Sequence, residues 1–93
     1  MNTLFLLMAQ YNGLAVIPLD RICADYFCHL SVEKLQRKVM AAEIDLPIVR
    51  MEGSQKAAKG VHLQDLALYL DSQRARALNE NDKLHNRRSS RLR

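Results

Sequence analysis

Lys34, Arg37 and Lys38 fall at i, i+3 and i+4, with Ala41 one turn further, so on a helix they share one side. Val32, Leu35, Val39 and Ala42 fall at i, i+3, i+7 and i+10 and mark a separate apolar stripe. Cations on one helix face and aliphatics on another suit a helix laid in the major groove of double-stranded DNA. Ammonium and guanidinium groups meet phosphates there, and long polar side chains such as Gln36 reach base edges. A surface helix whose charges are only solvated shows the same pattern, so the neighbouring sequence must decide. Downstream, Arg50, Ser54, Gln55, Lys56 and Lys59 supply further cations and hydrogen-bonding groups beside two glycines, Gly53 and Gly60. Such a loop can lie along adjacent phosphates or enter the minor groove.

The other reactive side chains assemble nothing comparable. His29, His62 and His85 are widely separated, and there is no glycine-rich phosphate loop, His-Glu-x-x-His helix or Ser-x-x-Lys. His62 reads as structural or DNA-adjacent, and the chain reads as a non-enzyme without a cofactor. Cys23 and Cys28 are too few for a disulfide scaffold. With His29 they also fall short of a zinc site, so no metal is expected. Cys23 lies on an apolar stripe, as a reduced, buried thiol would. The apolar run at residues 4–8 has no preceding cation and no small-residue cleavage site, and it is too short to span a bilayer. A cytoplasmic protein is the expectation, with no membrane partner.

With 93 residues, 48% of them hydrophobic and 26% charged, the chain suits one small globular domain. Its net charge of +4 is unevenly placed. Lys83, Arg87, Arg88, Arg91 and Arg93 fall in residues 83–93 with no acid, leaving nine bases against ten acids before them. The high pI therefore belongs to the tail, and any DNA-binding argument must rest on where the body's charges sit.

The elements that would position the basic residues follow from periodicity. Asn2 or Thr3 can cap a first helix running to about Tyr11, with Leu4, Leu7, Met8 and Tyr11 on one face. Asn12-Gly13 ends it in left-handed geometry. Residues 14–17 form a short apolar, β-branched run, and Pro18 sits where a helix can begin. Leu19, Ile22, Cys23, Tyr26 and Phe27 predict a second helix over 18–27. The Cys28-His29-Leu30 turn leads to a Ser31 cap and a third helix over 31–43, with Glu33 in its first turn. Pro47 ends helical continuity. Ile48, Val49 and Met51 then suit a strand, residues 52–60 a hairpin loop and Val61-His62-Leu63 a returning strand. A last helix starts near Leu63 or Gln64, with Leu66, Ala67 and Leu70 continuing its stripe, and frays after Ala77 or Leu78. The fold class expected is mainly α with a small β-hairpin: a winged helix-turn-helix with an added N-terminal helix. Residues 1–78 would be the DNA-binding domain and 79–93 a basic, disordered tail.

This order of elements looks like the small winged helix-turn-helix class that includes phage excisionases and the DNA-binding end of MerR regulators. Three stretches carry a closer resemblance: residues 1–11; Leu46-Pro47-Ile48-Val49-Arg50-Met51; and Gly53-Ser54-Gln55-Lys56 through Lys59-Gly60-Val61-His62-Leu63-Gln64-Asp65-Leu66. They resemble the pyocin activator protein family, PrtN, over nearly all of residues 1–77. The resemblance implies a bacterial or prophage transcription activator that binds promoter boxes upstream of bacteriocin genes. It assigns no base-contacting residues, and no motif extends it past Asn79.

The expected function is thus sequence-specific DNA binding by Lys34, Gln36, Arg37, Lys38 and Ala41 from the third helix, Arg50 beside it and Ser54, Gln55, Lys56 and Lys59 in the wing. RNA polymerase is a candidate partner. Leu4, Phe5, Leu6, Met8 and Tyr11 are the expected contacts of a homo-oligomer, since contiguous apolar surface tends to be an interface. Two alternatives remain open from sequence: an architectural, excisionase-like DNA-bending protein, and an adaptor that uses its apolar N-terminal helix and never touches DNA.

Overall fold

The computed structural model describes residues 2–54 and 56–91, with side chains through residue 86 except that of Gln55. Four helices and three short strands alternate along the chain: α1 (Thr3–Gln10), β1 (Val16–Pro18), α2 (Leu19–Tyr26), α3 (Val32–Met40), β2 (Val49–Arg50), β3 (Lys59–His62) and α4 (Leu63–Arg91). The molecule is mainly helical around a small antiparallel sheet.

The Asn2 side chain caps α1 by accepting from the Leu4 N–H at 2.9 Å. Asn12 and Gly13 take positive φ, and the Gly13 N–H donates to the Met8 carbonyl, closing the helix as its sequence predicts. Leu7 and Tyr11 enter the core, and α1 packs along α4.

The sheet differs from the expected hairpin. The run after Gly13 supplies a third strand, so β3 lies centrally in the order β1-β3-β2. Ile17 stands opposite Val61, and both are fully buried. Pro18, which has no N–H to donate, ends β1 on the sheet edge and leads into α2.

The α2–α3 turn is held from within. The Leu30 N–H donates to the Phe27 carbonyl, and the buried Cys23 thiol donates to the Leu30 carbonyl at 3.1 Å. Ser31 caps α3 by accepting from the Lys34 N–H at 3.2 Å. α3 stops earlier than the expected 43. Ala42 adopts a φ of 61°, and the Glu43 N–H folds back to the Lys38 carbonyl. This reversal sends Ile44 and Leu46 into the core, where Leu35, Ile22 and Leu66 wait.

A larger departure lies at the C-terminus. α4 continues through Asn79 to Arg91, where composition predicted a disordered tail. No proline or glycine follows Gly60, and the Ala, Leu, Arg, Glu and Lys content favours helix. Packing nevertheless ends near Leu70, and every residue at 71–86 is exposed. The helix thereby stretches the molecule to 61 Å along its longest axis, against 29 and 19 Å across. Residues 92 and 93 lie outside the described part.

Candidate nucleic-acid interface

α3 presents three different sides. Leu35 is fully buried, and Val32 and Val39 pack partly against the core. Lys34, Arg37 and Ala41 lie on the solvent side and are exposed. Lys38 is half-buried on one flank, with its Nζ 3.9 Å from a carboxylate oxygen of Glu43. Half-exposed pairs at this distance are worth little, so Glu43 offsets only part of the attraction that Lys38 offers an anion. Among the described residues Arg37 joins no salt bridge, and it is exposed.

Gln36 and Met40 occupy the opposite flank. With Val39, Ile48, Arg50 and Lys59 they line a groove of about 540 Å³ between α3 and the β2–β3 hairpin. Arg50 and Lys59 are directly paired across the two strands. Like charges in that register repel, and among the described residues neither joins a salt bridge. Two cations are thus fixed side by side at the wall of a groove whose other wall is α3. A second groove, of about 410 Å³, lies where the end of α3 meets α4; Glu43, Asp45 and Asp65 line it with Arg76 and Leu68. Its three carboxylates disfavour a polyanion, so only the hairpin side of α3 suits phosphate.

The hairpin loop is organised at its tip and base. Ser54 Oγ accepts from the Lys56 N–H at 3.0 Å within the loop, and the Met51 N–H donates to the Ala58 carbonyl. Lys56 is exposed. Gln55 lies outside the described residues. His62 is structural, as its Nδ1 accepts from the Gln64 N–H at the start of α4. The structure therefore brings Gln36, Arg50 and Lys59 to one groove. Lys34, Arg37 and Ala41 sit on the adjoining outer side of α3, with Lys38 apart on the other flank. Met40 is a groove residue that sequence reasoning passed over, although a methionine on the polar side of a charged helix was its visible signal.

The expected oligomer contacts divide. Phe5, Leu6 and Met8 are 67, 54 and 42% exposed. Tyr11 is fully buried and Leu4 packs partly against the core. Tyr11 is thus removed from the candidate interface, because its ring fills the core while its hydroxyl donates to Asp25 at 2.5 Å.

Residues 3–77 match the family model described as Pyocin activator protein PrtN. No match to this chain was found among curated proteins or among solved structures.

Proposed function

The chain belongs to the pyocin activator protein PrtN family, and from that premise we propose that it activates transcription by binding promoter DNA upstream of bacteriocin or prophage genes. The family is one of regulators rather than enzymes. In this reading α2, the turn at residues 27–31 and α3 act as a helix-turn-helix, and the β2–β3 hairpin is the wing. α3 enters the major groove with Arg37 and Lys34 foremost, and Gln36 and Lys38 reach from its flanks. Arg50 and Lys59 hold the adjacent phosphates, while Lys56 and the loop at residues 54–56 extend along the backbone. The observation that carries the proposal is the Arg50–Lys59 register. Two cations opposed across strands cost stability, and a phosphate in the groove beside α3 offsets that cost.

Residues 1–78 supply this surface, and the basic end of α4 adds sequence-independent attraction. Several copies would act on one site, with RNA polymerase as the further partner and the cytoplasmic nucleoid as the setting. No helix among the described residues is long and apolar enough to cross a membrane.

The proposal is tested by gel shift of the full chain on genomic fragments at increasing salt, followed by footprinting and transcription with purified polymerase. Binding that weakens steeply with salt, a discrete footprint and increased transcript support it. A footprint and bent DNA without added transcript would indicate the architectural reading, and absence of binding at any salt would leave the adaptor.

A further inference from the structure

We infer that Met40 reads the methyl group of a thymine while the Arg50–Lys59 pair holds the sugar-phosphate strand that carries it. The inference rests on the DNA-binding reading above and adds a specificity-determining residue to it.

Met40 is 82% exposed, the most exposed of the large apolar residues described. Val32, Leu35 and Val39 face the core, whereas Met40 is not part of that cluster. It stands one turn beyond Gln36 on the same flank of α3, and both side chains line the groove faced by Arg50 and Lys59. The groove thus has an apolar tip and an amide on its helix wall and two cations on its strand wall. A strand of DNA has the complementary order, with anionic phosphates outside and base edges inside. Among the four bases only thymine shows a methyl group in the major groove, and adenine presents there the donor and acceptor that a glutamine amide matches. A methionine thioether is flexible and polarizable enough to close on one methyl. Met40 and Gln36 together therefore favour A·T pairs at adjoining positions, and the cation pair fixes the strand at the depth where both reach.

The test begins with a duplex selected by the wild-type full chain from a random pool. Each thymine in turn is replaced by deoxyuridine, which deletes the methyl alone, and affinities are measured by fluorescence anisotropy. Met40→Ala should weaken binding to the unmodified duplex by about fivefold, the scale of one buried methyl-sized contact. Deoxyuridine at one position should weaken wild type similarly, and the two changes together should add nothing further. Met40→Gln keeps side-chain length and helix propensity, so it guards against a folding defect and should show the same non-additivity. Losses that multiply at every thymine would overturn the role of Met40 while leaving DNA binding intact. Failure to select any sequence would remove the sequence-specific reading and this inference with it.

Discussion

Gly60 lies so close to Ile17 that a Cβ on it would stand 2.5 Å from the Ile17 carbonyl oxygen and 2.7 Å from Val16 Cγ1. The contact exists because Gly60 pairs on both sides, with Pro18 on β1 and Val49 on β2. β1 thereby presses on the central strand next to the Arg50–Lys59 pair. Gly60→Ala should destabilise the domain by about 3 kcal/mol, because the obstacle is backbone and cannot rotate away. Thermal unfolding would show a fall in Tm of more than about 10 °C for a domain of this size. An unchanged Tm would mean that β1 does not lie on β3 as described.

Tyr11 links pH to stability. Burial, then the hydrogen bond to Asp25 and the charge of that carboxylate, hold its phenol well above its ordinary value, and Arg21, 4.8 Å from the ring centre, opposes them only weakly. The folded state keeps the proton, whereas the unfolded phenol ionises near pH 10. Above about pH 10 the unfolded chain binds fewer protons, so this contribution to stability falls as pH rises. Tyr11→Phe should cost about 1 kcal/mol at pH 7 through loss of the Asp25 bond. Its disadvantage should shrink by about 1 kcal/mol at pH 11. Urea midpoints at the two pH values measure this, and parallel curves would contradict it.

The helices α1, α2 and α3 could be read from apolar spacing because each has a cap or breaker in the sequence: Asn2, Pro18 and Ser31 at their starts, Asn12-Gly13 after α1. β1 was legible as a short apolar, β-branched run at residues 14–17, but its pairing was not, because its partner lies more than forty positions away. The early end of α3 escaped because Ala42, unlike glycine or asparagine, gives no sign of a positive φ. On α1 the spacing placed Leu7, Met8 and Tyr11 on one face, but packing of α1 on α4 and the Tyr11 hydrogen bond to Asp25 of α2 go with Leu7 and Tyr11 turned inward and Met8 left outside. At the candidate site, the cations were evident as residue types. The apposition of Arg50 with Lys59 depends on hairpin register, which residue spacing alone does not determine.

On α3 the cations should not be equivalent. Arg37 is exposed and free of ion pairing among the described residues, whereas Lys38 faces Glu43. Arg37→Ala should weaken specific DNA binding by about 1–3 kcal/mol with stability nearly unchanged, and Lys38→Ala should cost less. Anisotropy on specific and scrambled duplexes reads both. Wild-type affinity in the double variant would sink the assignment of α3 as the reading helix.

The end of α4 should contribute attraction without discrimination. Residues 83–93 hold five cations and no acid, and every residue at 71–86 is exposed. Deleting 83–93 should flatten the salt dependence of binding and lower non-specific affinity, while the ratio between promoter and random DNA survives. Loss of that ratio would show that this part of α4 helps position the protein on its site.

Assembly is the remaining consequence. A single small reading unit buries little DNA surface, so useful specificity calls for more than one copy on a site. The exposed Phe5, Leu6 and Met8 on α1 offer an apolar surface for this, and α4 exposes Leu78 and Leu84 beyond the packed body. Contiguous apolar surface of this kind tends to be an interface. We predict a homo-oligomer on DNA in which α1 contributes contacts. A two-fold dimer requires an inverted repeat in the DNA and a head-to-tail row requires direct repeats. Phe5→Glu or Leu6→Glu should disrupt assembly while leaving the unfolding midpoint almost unchanged, since neither side chain belongs to the core. Leu7→Glu, placing a charge in the core, should unfold the domain and so serves as the contrast. Sedimentation of protein–DNA complexes measures the number of protomers per site. One protomer per site, unaltered by Phe5→Glu and Leu6→Glu, would reject assembly through α1 and restrict that helix to packing against α4.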